Sequence, residues 1–181
     1  MKISALPNAS TVAATDLSPV VQDLSSTPVT NAAEQTQIKT FVQTGVTDGS
    51  SASAGIIGEV IQTLVASGSA VSLTTATAAS IGTLSLTAGD WDVCGSVNFV
   101  IAAGTVSEMV ASFGTSVAIN TDGSEVYGGA TAAVVTQKNG VTIPKFRVSS
   151  SGSTTLHLNA KATFAAGTVS GYGKLIARRV H

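Results

Sequence analysis

The chain has 181 residues, 10% of them charged, and a formal net charge of -1; typical soluble proteins carry about 25% charged residues. That balance excludes an electrostatic nucleic-acid binder, which needs clustered Lys and Arg, and the one adjacent basic pair is Arg178-Arg179. A single cysteine excludes a disulfide-stapled scaffold, and no apolar run reaches the ~20 residues of a membrane-spanning helix.

The opening 30 residues differ from the rest. Pro7, Pro19 and Pro28 punctuate a Ser/Thr/Ala-rich stretch in which Ile3, Leu6, Leu17, Val20, Val21 and Leu24 are isolated apolar points. Alone, such a segment buries too little to offset its ordering entropy. It reads as an extended arm that orders on a neighbour, or else as a flexible tail. The start MKISALPNAS has no apolar h-region and is not read as a secretion signal. A short helix is expected from about Ala32 to Val42, with Asn31 as N-cap and Glu34 closing a capping box. Ile38, Phe41 and Val42 would form its apolar patch. A patch this small requires a docking partner.

Thr44 to Gly55, TGVTDGSSASAG, reads as a Gly/Ser-rich linker. The expected organisation is therefore an arm with helix over 1–44, a linker over 45–57 and a β-sandwich over 58–181.

Strand signals are then nearly continuous: Glu59–Ala66, Ala70–Thr74, Ala79–Leu86, Asp90–Ile101, Ser107–Ile119, Ala130–Thr136, Val141–Ser149, Thr154–Ala165 and Thr168–Val180. In LSLTAGDWDVCGSVNFVI, Trp91, Val93, Val97 and Phe99 alternate with Asp92, Cys94, Ser96 and Asn98, the period of a half-buried strand. The turn Ala88-Gly89-Asp90 is expected to fold Ile81–Leu86 back beside this strand as a hairpin. Gln137 to Gly140 (QKNG) is read as a second hairpin turn, Tyr127-Gly128-Gly129 as loop, and Cys94 as a small buried hydrophobe. Leu156, Leu158 and Phe164 share one face of a late strand, opposite His157 and Lys161. Leu156, Leu158 and Phe164, with Trp91, Val93, Val97 and Phe99, form the expected core or subunit packing. About eight strands at this spacing give an all-β, antiparallel, jelly-roll-like sandwich.

Chemistry is sparse. Asp90 and Asp92 flank Trp91, but no further acid completes an oxygen cage, so they are read as turn or surface residues. His157 and His181 have no Cys or His at metal-ligand spacing, and His157 is expected at the surface or a subunit contact. There is no G-x-S-x-G elbow, no phosphate-cradling glycine pattern and no paired-carboxylate cleft. No enzyme activity, metal or cofactor is expected.

Two regions resemble bacteriophage virion proteins. KISALPNAS, ATDLSPVVQD and TPVTNAAEQTQIKTFV are similar to the opening segments of phage tail-fibre and head-fibre proteins. SLTTATA, SLTAGDWDV and the closing YGKLIARRV resemble a β-sandwich domain of phage and prophage structural proteins. The resemblance implies a virion structural protein made in the host bacterial cytoplasm, a homotrimer partnered by phage capsid or tail proteins; charge and hydropathy lead us to expect neither nucleic acid nor membrane as partner. No long repetitive shaft precedes the sandwich, which favours a capsid decoration (cement) protein or short head fibre. The anchor would comprise Ile3, Leu6, Pro7, Leu17, Val20, Val21, Ile38 and Phe41. The alternative is a tail-fibre or adhesin subunit binding a host glycan or protein through loops 102–106 and 120–130.

Overall fold

A computed structural model describes residues 17–22, 29–34, 46, 48–119, 126–128, 131–133 and 136–181. The chain divides into two compact units, Met1–Gly49 and Ser50–His181.

In the first unit, β1 (Leu17–Gln22) pairs antiparallel with β2 (Val29–Glu34), setting Val20 opposite Asn31 and Val21 opposite Thr30. Ala32 to Glu34 are thus strand, not the first turn of a helix. Thr30 and Val29 favour a strand, and backbone pairing with β1 satisfies donors that the Asn31 cap would otherwise have served. The rest of the expected helix, with Ile38 and Phe41, lies outside the described residues, as do Ile3, Leu6 and Pro7.

The second unit is an antiparallel β-sandwich. Its strands are β3 (Val60–Val65), β4 (Val71–Ser72), β5 (Ala79–Leu86), β6 (Gly89–Ala102), β7 (Gly104–Gly114), β8 (Val126–Gly128), β9 (Thr131–Ala133), β10 (Gln137–Ser150), β11 (Thr154–Ala165) and β12 (Thr168–Arg179). One sheet runs β10-β6-β12-β3, with β4 beside β12 on the same side as β3. The other runs β5-β11-β7-β8, with β9 also pairing β7. Taking the main strands in sequence as β3, β5, β6, β7, β8, β10, β11 and β12, each sheet interleaves early with late strands. That is the jelly-roll order, two Greek keys in two facing sheets.

This topology overturns the expected hairpin. β5 and β6 lie in opposite sheets, so Thr87-Ala88 is a crossover between layers. β5 instead pairs with β11, Leu84 opposite Leu156, and β6 lies between β10 and β12. The QKNG stretch is likewise no turn. Gln137 to Gly140 open β10 and pair with Ile101 to Asn98, because the 14-residue β6 offers ladder positions along its whole length. Tyr127 and Gly128, expected as loop, belong to β8 (Val126–Gly128), with Gly128 opposite Met109. A Cβ at Gly128 would come within 3.0 Å of Val141 and 3.2 Å of Met109, so glycine there permits close packing rather than a turn.

The core lies between the sheets. Trp91, Val93, Val97, Phe99 and Leu158 are wholly buried, Leu156 nearly so, and Phe164 packs half-buried where the β11–β7 register shifts. Each such side chain contributes about 1.5–3 kcal/mol by leaving water. Crossovers at Ala103 (φ 48°) and Ala166-Gly167 (φ 60° and 73°) link the layers at one end. A Cβ on Gly167 would collide with the carbonyls of Ala102 and Ala103, so the two reversals nest against each other. Most of the suspected 102–106 loop is therefore strand, and 120–125 lie outside the described residues.

Candidate functional site

The densest polar arrangement gathers where β6 begins and β12 ends. Alternation along β12 puts Val169, Leu175, Ala177 and Arg179 on the same buried face. An arginine in that position needs partners, and it has four. Its Nε donates to Glu59 Oε2 at 2.9 Å and its Nη1 to the Ala88 carbonyl at 2.8 Å. Nη2 donates to the Thr87 hydroxyl, and the guanidinium lies 4.2 Å from the Trp91 ring centroid. Trp91 Nε1 in turn donates to the Thr87 carbonyl at 3.1 Å. The Thr87-Ala88 crossover is thus pinned to β12 by one side chain.

Glu59 is held from both sides, since the Gly55 N–H also donates to its Oε2 at 2.8 Å. Burial pushes the Glu59 carboxyl up, but the Gly55 and Arg179 hydrogen bonds and the Arg179 charge outweigh it, so its pKa falls below the usual range. Gly58 N donates to the Arg179 carbonyl at 3.0 Å, and Arg179 N to that of Glu59 at 2.9 Å. Ser51 also bonds Val60. Ser50 to Gly58 accordingly belong with the second unit.

Asp90 lies beside this network. It is 6% exposed and sits in β6 opposite Ser149, so it is neither a turn nor a surface residue. Arg147 Nε reaches its two oxygens at 2.7 and 2.9 Å, Arg147 Nη2 lies 2.6 Å from Oδ2, and His181 Nδ1 lies 3.3 Å from Oδ2. The Arg147 hydrogen bonds, opposed by burial and joined by the Arg147 and His181 charges, hold the Asp90 carboxyl below its ordinary value. Asp92 points to the outer face and pairs with Lys145 at 2.8 Å. The two carboxylates thus pair with different cations, and no cluster among the described residues has the makings of a metal site. Gly89, Asp90, Arg147, Ser149, Ser150, Ser151 and His181 line a shallow recess of about 450 Å³.

Elsewhere His157 Nδ1 lies 3.2 Å from the Ser80 hydroxyl. No carboxylate among the described residues orients that histidine, so the pair lacks the third member of a nucleophilic triad. Glu108 on β7 binds Lys161 at 3.1 Å and Thr163 at 2.9 Å across the outer face of the second sheet. Cys94 is half-buried on the outer face of β6, opposite Ile176, rather than in the core.

The sequence pointed to Trp91 but not to Arg179 over its ring, to Glu59 that pairs with Arg179, or to Arg147 that pairs with Asp90. One signal was available: an arginine in phase with the buried positions of β12 demands a buried acceptor. Of the anchoring residues, Leu17, Val20 and Val21 lie in β1; the others are outside the described residues.

Taken together, fold and site define a jelly-roll β-sandwich with a buried ionic clamp at one end. No protein-family model matches the chain, and no curated protein matches it significantly. Among solved structures it is similar to that of infectious bursal disease virus strain Gx, with TM-score 0.45 and 12% identity over 76% of this chain and 37% of that one. It is also similar to T=1 particles derived from infectious bursal virus, with TM-score 0.35 and 12% identity over 98% of this chain and 40% of that one. A VP2 subviral particle of infectious bursal disease virus gives TM-score 0.33 and 13% identity over 98% and 42%. The chain spans less than half the length of these viral proteins, and likeness of this degree carries no functional argument.

Proposed function

We propose that this protein is a non-enzymatic virion structural protein, a capsid decoration protein or short head fibre. In this reading it attaches through its N-terminal unit and projects the sandwich outward. The observation that carries the reading is the jelly-roll strand order, an architecture recurrent in viral capsid and lectin domains. The low charge and the fibre-like opening sequence support it, as does the pairing of the buried charges, Glu59 with Arg179 and Asp90 with Arg147. Leu17, Val20 and Val21 on β1, with Ile3, Leu6, Pro7, Ile38 and Phe41, are the proposed anchor. A homotrimer would cover sandwich edges that carry few charges.

Removal of residues 1–49 tests this. The remaining 50–181 unit should stay folded and soluble yet fail to co-sediment with particles that the full chain decorates. Full occupancy by the truncated protein would refute the anchor.

The recess at Asp90, Arg147 and Ser149–Ser151 supports a second reading, a fibre or adhesin subunit that contacts a hydroxyl-rich host glycan. Glycan-array binding lost in Arg147→Ala would favour it over decoration.

A further inference from the structure

The two outer strands of the β10-β6-β12-β3 sheet are guarded very differently. β10 carries Lys138, Lys145, Arg147 and Pro144, and its register with β6 shifts between Ile143 and Phe146. Charges, proline and a bulge are the usual devices that stop an edge from pairing with another strand. β3 reads Val-Ile-Gln-Thr-Leu-Val, with no charge, no proline and an unbroken register against β12.

The ladder fixes which groups β3 leaves open. Arg179 N bonds the Glu59 carbonyl while Val60 stands opposite Arg178. By antiparallel alternation, Ile61, Thr63 and Val65 then bond to β12, whereas Val60, Gln62 and Leu64 turn their N–H and C=O groups to the free edge. Ser51 occupies Val60, accepting from its N–H at 2.7 Å and donating to its carbonyl at 3.4 Å. Gln62 and Leu64 have no such cap among the described residues.

The same even-numbered side chains face outward. Leu64 is 67% exposed and Val60 42%, and the apolar strip continues into the preceding turn with Ile56 and Ile57, 55% and 66% exposed. Burying a whole side chain of this kind removes on the order of 100 Å². Four partly open ones therefore offer less than half of the ~800 Å² per partner in a standard interface. The strip is too small for a second copy docking face to face, but it suits one added strand whose backbone bonds supply the rest. Charge narrows the occupant further. On the same outer face Lys174 stands opposite Leu64 and Arg178 opposite Val60, and neither is ion-paired among the described residues.

We propose that β3 is a strand-addition site for an extended segment of a partner protein bearing apolar and acidic side chains at its outward, alternate positions. Gln62 and Leu64 exchange backbone hydrogen bonds with the added strand, Leu64 packs on its apolar residues, and Lys174 and Arg178 reach its carboxylates. The proposal is independent of the virion reading.

The test titrates the full chain with a capped hexapeptide, Thr-Val-Thr-Glu-Thr-Val, followed by NMR amide shifts and hydrogen exchange. Saturable binding is expected, with at least tenfold slower exchange at Gln62 and Leu64. A peptide with Lys in place of Glu should bind at least tenfold more weakly at low salt. Gln62→Pro deletes an edge donor without touching the β12 ladder, and it should abolish binding while leaving Trp91 fluorescence unchanged. If that variant misfolds, Leu64→Lys keeps the ladder and must weaken binding at least tenfold. Three results overturn the proposal: no saturable binding, binding undiminished in the variant that folds, or protection of Gln62 without peptide. The last would mean that the edge is covered by the chain itself or by a second copy.

Discussion

The Arg179 guanidinium lies 4.2 Å from the centroid of the Trp91 ring, and the two are bonded to the same residue, Thr87, through its side chain and its carbonyl. The contact therefore joins the last strand to the crossover that carries the chain from β5 to β6. Cation–π attraction is strongest where water is excluded, and here both side chains are buried.

Arg179→Leu should destabilise the sandwich by about 3 kcal/mol, chiefly because Glu59 is left buried without its counter-charge. That is the low end for breaking a buried pair, since the two side chains keep 5% and 8% of their exposure. Urea unfolding followed by tryptophan emission measures it well, because Trp91 is the sole tryptophan. The double variant Glu59→Leu with Arg179→Leu should cost less than the sum of the two single changes.

Stability should fall in acid. Glu59, Asp90 and Glu108 all have folded-state pKa values below their ordinary 4.5, 3.8 and 4.5. A carboxyl with a depressed folded pKa contributes stability that is present above its unfolded value and is lost as pH falls through the folded one. The thermal midpoint should thus hold above about pH 5 and decline below about pH 4.5. In Asp90→Asn the decline should be shallower; an unchanged slope would show that Asp90 does not contribute.

Phe99→Ala should cost about 3–5 kcal/mol, the range for emptying a large buried aromatic site. Phe99 is fully buried between the sheets. Gly173→Ala should cost about 1–3 kcal/mol as an overpacking change, because its Cβ would collide with the Ser96 carbonyl on β6. Chemical denaturation of both variants checks these values.

Light scattering at micromolar concentration should give three times the monomer mass, in accord with the proposed trimer. A stable monomer would refute it.

Much of the fold was legible locally. The bounds of β5 and β11 follow from alternation and flanking turn residues, as do those of β6 to within a residue. Two turns were misread because Gly-Asp and Asn-Gly report only a local conformational preference. At Gly89 the chain changes sheet instead of reversing within one, and at Asn139-Gly140 a long partner strand holds the chain extended. Arg179 was hidden for a different reason: its partner Glu59 lies 120 residues away in sequence, and Thr87 and Trp91 become its neighbours only when β12 closes against β6.

The sequence by itself determined that this chain folds as an antiparallel sandwich and which alternate residues lie inside, because period-two burial is written residue by residue. Tertiary structure alone decided which strands pair, that Arg179 is locked under Trp91 and Glu59, and that β3 is the unguarded edge. Those outcomes depend on long-range register, and no stretch of chain encodes its own partner.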